Sequence, residues 1–269
     1  DLEAPIAEGG GLTEKYYLLR LVNLLANHMG SFLSTCFVEE PLVTVHDSTQ
    51  VLNLTGTAGA WAVVTSNGRD EIDSALVSLP SGRELRVPLE PIGATAIPVN
   101  LDLGQDRTLD YANCMPLGMF GEDILAFHAP AEWDVEIGVN GERVRAAAPK
   151  DDEPLLLEHA GLRIVLVNSD LAMRTWPLED MLVFGPEFVG EEADDAVPAR
   201  GAKQYAILPF DGKMTHKKVK PATAARKPTP PKLGQWKRLA VCTEPVADDL
   251  EWTHISGQQD VDRVGRGLL

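Results

Sequence analysis

The run Trp133-Asp134-Val135-Glu136-Ile137-Gly138-Val139, followed by Asn140-Gly141 and then by Arg143-Val144-Arg145-Ala146-Ala147, decides the fold class. Apolar and polar residues alternate through its first half with a period of two, which is the period of a strand. Val135, Ile137 and Val139 fall on one face, and Asp134 and Glu136 on the other, where water is expected. Asn140-Gly141 is the strongest short hairpin signal in the chain, because both residues tolerate the positive φ of a tight two-residue turn. The stretch therefore predicts two antiparallel strands that bury one face.

The same grammar extends in both directions. Upstream, strands are predicted over 42–46, 50–54, 61–65, 75–79, 85–89, 95–103 and 108–111. Asn67-Gly68 and Pro80-Ser81-Gly82 supply turns between them. Ile97, Val99, Leu101 and Leu103 are expected to share one face. Further strands are predicted over 124–128, 155–158, 163–168, 171–175, 181–184 and 205–210. About a dozen short strands separated by turn signals predict a mainly β chain with a two-layer β-sandwich over residues 41–210. Helical stretches do not separate these strands, which argues against a parallel α/β fold.

The chain opens differently. Pro5 restricts its own φ and biases Ala4 toward extended backbone. Gly9-Gly10-Gly11 permits a change of direction, and Thr13 stands at an N-cap position with Glu14 in the first turn. A helix is predicted over 14–29, with Gly30 just past its end. Leu18, Leu21, Val22 and Leu25 form one apolar face, and Tyr17, Leu19 and Leu24 extend it. A helix this apolar is covered on more than one side.

Asp1-Leu2-Glu3-Ala4-Pro5-Ile6 and Leu12-Thr13-Glu14-Lys15-Tyr16 resemble the last β/α unit of the catalytic barrel in family 35 glycoside hydrolases, the β-galactosidases. That family carries an Asp-Tyr-Asp-Ala-Pro segment, a short acidic-glycine loop, and Leu-Thr-x-Lys-Tyr opening the final helix. The resemblance implies that residues 1–40 are the C-terminal end of a (β/α)8 barrel, whose inner helix face packs on the barrel. It implies a parent enzyme that hydrolyses terminal β-galactosides or related β-glycosides with retention. Leu2 occupies the position of a sugar-contacting tyrosine and is the one candidate substrate-binding residue; Glu3 replaces an aspartate.

Retaining chemistry needs two carboxylates about 5 Å apart. The resemblance puts both glutamates on earlier barrel strands, so no catalytic residue is assigned within this sequence. Asp1 and Glu3 alternate along extended chain and point to opposite faces, so they do not form such a pair. The competing reading is a non-catalytic carbohydrate-binding or structural β-sandwich module.

Residues 190–196 are acidic, and residues 201–238 hold ten Lys or Arg against the single acid Asp211. Pro221, Pro228, Pro230 and Pro231 make 211–232 a basic, proline-rich linker. Residues 233–269, with Trp236, Asp248-Asp249-Leu250-Glu251-Trp252 and Asp262-Arg263-Val264-Gly265, resemble the start of the galactose-binding-like jelly roll that follows in the same family. Barrel and jelly roll are thus the expected intramolecular partners, and carbohydrate the expected substrate.

The 269 residues carry a formal net charge of −16, which argues against a nucleic-acid partner. No apolar run reaches the length of a membrane span. Cys36, Cys114 and Cys242 are odd in number and far apart, and neither they nor the six histidines show metal or redox spacing, so no cofactor or metal is expected. The five tryptophans are spread one to a strand region, as core residues are. His28 sits at the helix C-terminus, where a cation is favourable. Asn53-Leu54-Thr55 matches the glycosylation pattern inside a strand-like run.

Overall fold

A computed structural model describes residues 5, 13–38, 42–46, 49–66, 73–89, 93–190, 196–198 and 204–219. The chain divides into two compact units, Asp1–Val219 and Lys220–Leu269. Leu2, most of the linker and the 233–269 segment lie outside the described residues.

The first unit is mainly β, built of several antiparallel sheets. Its central sheet has seven strands in the order Phe37–Val38, Gln50–Gly56, Gly59–Thr65, Ala94–Gly104, Arg107–Ala112, Asp134–Val139, Glu142–Ala147. The hairpin forms as its sequence dictates. Val139 pairs with Glu142 and Asp134 with Ala147, and Asn140 and Gly141 take φ of 51° and 78°.

Strand alternation then sets the layers. Ala60, Ala62 and Val64 face a core shared with Ala75, Val77, Leu85 and Val87 of the sheet Thr44–Val45, Ser74–Ser78, Glu84–Pro88. On the opposite face Trp61, Val135, Ile137 and Val139 meet Leu125, Phe127, Ile164 and Leu166. These last belong to a sheet ordered Leu155–His159, Leu162–Asn168, Ile124–Ala129, Met115–Phe120. Its far face, with Ile124, Ala126, Val165 and Val167, packs on Leu182, Phe184, Ala206 and Leu208 of a fourth sheet. The sheets pack face to face as in a β-sandwich, but the expected two layers are corrected to a stack with three intervening cores, because the two middle sheets are apolar on both faces.

Several local expectations are also corrected. Ile97 and Val99 enter one core, but Leu101 and Leu103 enter the other, because the strand turns over at Asn100, whose φ is 51°. Gly59 (φ 128°) admits that turn: a Cβ there would stand 2.4 Å from the Asn100 carbonyl oxygen. Residues 171–175 are not a strand. Ser169–Ala172 is a short helix capped by Asn168, whose Oδ1 accepts from the Leu171 N–H at 2.7 Å, and the next strand is Thr175–Pro177. Met115–Phe120 is a strand that the pattern does not announce. Thr215–Lys218, at the head of the basic stretch, pairs with Gln204–Pro209 and so is strand rather than linker. Ile124–Ala129 and Leu162–Asn168 run parallel with no helical crossover: the chain between them passes through the neighbouring sheet's hairpin.

The first helix spans Glu14–His28, and a second, Gly30–Leu33, starts where a stop is expected. Thr13 makes no side-chain capping bond; its Oγ1 donates to the Pro5 carbonyl at 3.0 Å. Leu21, Leu24, Leu25 and Met29 are buried, while Leu19 and Val22 remain 45% and 42% exposed. Arg20 anchors the helix: its guanidinium lies 3.6 Å from the Trp176 ring centre and donates to the Met173 and Thr175 carbonyls. Beside it the Tyr17 hydroxyl donates to Glu187. His28 is half-buried against Phe120, and desolvation pushes its pKa down, so it is not the favoured cation of a free helix end.

Candidate functional site

The hairpin that organises the fold also carries its main polar cluster. Glu136, expected on a wet face, is 8% exposed. Its burial follows from the Pro80-Ser81-Gly82 turn, which brings Arg83 over the sheet. Arg83 pairs with Glu136 Oε1, and the Tyr111 hydroxyl donates to the same oxygen at 2.7 Å. From the other side Arg145, directly across the hairpin, donates through Nε to Oε2 at 2.7 Å. The Arg83 guanidinium carbon stands 5.1 Å from the Tyr111 ring centre.

Gly138 makes room for this arrangement. A Cβ on it would meet the Tyr111 ring at 2.6 Å, so the phenol lies flat across the strand only because position 138 has no side chain. Asn113 braces the floor. Its Oδ1 accepts from the Glu136 N–H at 2.7 Å, and its Nδ2 donates to the carbonyls of Asp134 (2.9 Å) and Arg86 (3.2 Å).

Burial pushes the Glu136 carboxyl up, but hydrogen bonds from Tyr111 and Arg145 and the charges of Arg83 and Arg145 outweigh it and leave the pKa below the usual range. Desolvation and the bond to Glu136 push Tyr111 up to about 12. Glu136 is thus a held carboxylate. A general acid needs a raised pKa, so this group does not supply one.

Two open clefts flank the Glu136 wall. One, about 480 Å³, lies among Ser81, Arg83, Asp110, Tyr111, Glu142 and Arg143. The other, about 400 Å³, lies among Arg86, Asn113, Trp133, Asp134, Glu136 and Arg145, with Glu84 at its margin. Both volumes fall in the range of small-molecule sites, about 300–1,000 Å³.

The sequence-predicted candidates do not converge here. Leu2 lies outside the described residues, as do Trp236 and Trp252. Trp61 is core, Trp176 is spent on Arg20 and on the Pro186 carbonyl, and Trp133, at the edge of one cleft, packs against the core that holds Val135 and Ile137. Asn53 is 4% exposed and exchanges hydrogen bonds with the Val43 backbone, so its match to the glycosylation pattern describes a buried bridge rather than a modified site. His128 is fully buried, without a hydrogen-bond partner among the described residues, and desolvation lowers its pKa to about 4. Among the described residues no three His, Cys, Asp or Glu side chains group as a metal site, and no helix is long and apolar enough to cross a membrane. Arg83 and Tyr111 escape sequence reasoning because they reach Glu136 only through strand order, whereas Arg145 faces it through the register of the hairpin. The one available signal is Gly138, a glycine inside a clean strand pattern, which marks close approach by another group.

No family model matches the chain, and no curated protein matches it.

Proposed function

We propose that this chain is the β-rich, non-catalytic portion of a retaining glycoside hydrolase resembling family 35, which cleaves terminal β-galactosides or related β-glycosides. The observation that supports this reading is the division of labour on the Glu14–His28 helix, the element that carries the resemblance. One side is locked into the β unit through Leu21, Leu24, Leu25, Met29 and Arg20, while Leu19 and Val22 on another flank stay open. A helix shared between a β unit and a barrel has that distribution. The catalytic glutamates then belong to barrel strands preceding Asp1, and residues 233–269 begin the jelly roll. Leu2 supplies an apolar contact where relatives offer a hydroxyl.

Turnover decides the reading. The 269-residue chain is expected to leave a chromogenic β-galactoside untouched, and the protein extended upstream through a complete barrel is expected to cleave it. Cleavage by the chain itself, abolished by a substitution within it, overturns the proposal, as does an inactive extended protein. Leu2→Tyr in the extended protein is expected to raise catalytic efficiency on galactosides relative to other β-glycosides, about tenfold for one hydrogen bond of ordinary strength. An unchanged ratio removes Leu2 from the sugar site.

A further inference from the structure

We propose that Asn140-Gly141 is a site of spontaneous cyclisation to a succinimide, and that the fold gates it: hydrogen bonds to the strand Arg107–Ala112 hold the pair shut, so the modification proceeds only when the hairpin tip opens. The proposal concerns this hairpin alone and is independent of the hydrolase reading.

The chemistry needs only two groups of one turn. The Gly141 backbone nitrogen attacks Asn140 Cγ and gives its proton to solvent. The Cγ–Nδ2 bond breaks, the side-chain nitrogen takes up a proton and leaves as ammonia, and a cyclic imide remains. Water then opens the imide at either carbonyl, which gives aspartate or isoaspartate at position 140. Glycine hinders the attack least, because it carries no side chain. Asn140 and Gly141 are both exposed, and a Cβ on Gly141 would meet nothing within 4 Å, so water reaches the pair freely.

The closed hairpin keeps the reacting groups apart. Asn140 and Gly141 have φ of 51° and 78°, the two positive values of a type I′ turn. The first central residue of such a turn has ψ of about 30°, which points the next nitrogen away from its own side chain. Closing the imide requires rotation about that bond, and the contacts to the neighbouring strand oppose it. The Thr108 N–H donates to Asn140 Oδ1 at 2.7 Å, and the Asn140 N–H donates to the Thr108 carbonyl at 3.0 Å. Thr108 thus grips backbone and side chain together. The Gly141 N–H, whose nitrogen is the nucleophile, donates to Asp110 Oδ2 at 2.7 Å. The near-attack arrangement is absent while these bonds last, and the rate follows the population of the open tip.

The two products differ in what they do to the fold. Isoaspartate carries the main chain through the former side chain and lengthens the turn by one atom. Val139–Glu142 is the rung beside the turn, and the same register sets Glu136 opposite Arg145. Lengthening the turn disturbs that register and uncouples Arg145 from Glu136. Aspartate keeps the register and still accepts from the Thr108 N–H, but it adds a negative charge to a turn already flanked by Asp110 and Glu142. Either product is a permanent record that the hairpin has opened.

The test follows the peptide holding Asn140 by mass spectrometry, with aspartate and isoaspartate products separated. The full chain is incubated in mildly alkaline buffer, folded and in guanidinium chloride. Asn67-Gly68, the other pair of this sequence, gives a second reading of the ungated rate in the denatured sample. Conversion at Asn140 is expected to be at least about tenfold slower in the folded chain than in the denatured one. Asp110→Ala frees the Gly141 N–H and is expected to speed conversion in the folded chain about tenfold, whereas Asp110→Asn, which keeps an acceptor for that N–H, stays within about threefold of the parent. A folded chain that converts as fast as the denatured one overturns the proposal. So does Asp110→Ala if it folds and leaves the rate unchanged or lowers it; a lowered rate would make Asp110 the base of the reaction rather than its restraint. The comparison of folded with denatured chain uses no variant, so it decides the gate even where Asp110→Ala fails to fold.

Discussion

Glu136 shows how one side chain takes its character from what closes over it. Arg83 is mostly buried beside it, and Arg145 is largely exposed. Removing a partner from a desolvated pair leaves an uncompensated charge, whereas an exposed partner is screened. Arg83→Ala is therefore expected to cost about 3 kcal/mol in urea unfolding, and Arg145→Ala distinctly less. Equal losses would mean that the two arginines share the same environment. Gly138→Ala is expected to cost about 1–3 kcal/mol by pushing the Tyr111 ring off the strand. Gly141→Ala faces open space and meets only the strain of φ 78°, about 1–2 kcal/mol, so its loss is expected not to change when Tyr111 is truncated, while that of Gly138→Ala falls. His128 sets an acid limit. Its folded pKa of about 4 lies below its ordinary value of 6.5, so the unfolded chain takes up the proton first. The stability tied to neutral His128 is complete above pH 6.5 and is lost as pH falls from there toward 4, at most about 3 kcal/mol. His128→Leu is expected to flatten the unfolding free energy across that window, and an unchanged slope would assign the acid lability elsewhere.

Among the elements, the first helix is the one whose sequence and environment disagree most. Its apolar residues run around more of the cylinder than the β unit covers, and Leu19 and Val22 are what remains. Substituting both with Asn in this chain is expected to change stability by no more than about 1 kcal/mol, since neither belongs to the core here. Arg20 is different. It is stacked on Trp176 and donates to two carbonyls, and burial lowers its pKa to about 10, still well above neutral. Arg20→Ala removes a donor from the Met173 and Thr175 carbonyls and is expected to raise hydrogen exchange across Glu14–His28 ahead of global unfolding. Exchange that rises only with global unfolding would show that the leucine contacts hold the helix unaided. The Asp134–Ala147 hairpin, by contrast, is closed by local chemistry in Asn140-Gly141 and needs no distant partner to set its register.

At the scale of the molecule, the stacked sheets explain why strands that read as half-wet are buried. Ile124–Ala129 is buried at every position because cores lie on both its faces. A single sandwich leaves one face of each sheet to water; here only the outer sheets do so. The chain's net charge of −16 is concentrated away from residues 201–238, so the first unit is more acidic than the whole. Beside Glu136 the signs are more evenly mixed: Arg83 and Arg143 face Asp110 and Glu142 in one cleft, and Arg86 and Arg145 face Glu84, Asp134 and Glu136 in the other.

The mainly β class, the hairpin at Asn140-Gly141 and the helix over 14–28 were determined by the sequence alone, because each rests on local periodicity or on turn residues that act within a few positions. Tertiary structure decided the number of layers, the face change at Asn100, the parallel pairing of Ile124–Ala129 with Leu162–Asn168, and the burial of Glu136. Alternation says that two faces differ; it does not say what covers each. Glu136 reads as solvent-facing until the turn before Arg83 folds over it, and residues 83 and 111 reach it only through strand order, while Arg145 stands across from it in the local hairpin. That is a long-range property, set by which sheets pack together, and no stretch of the chain carries it by itself.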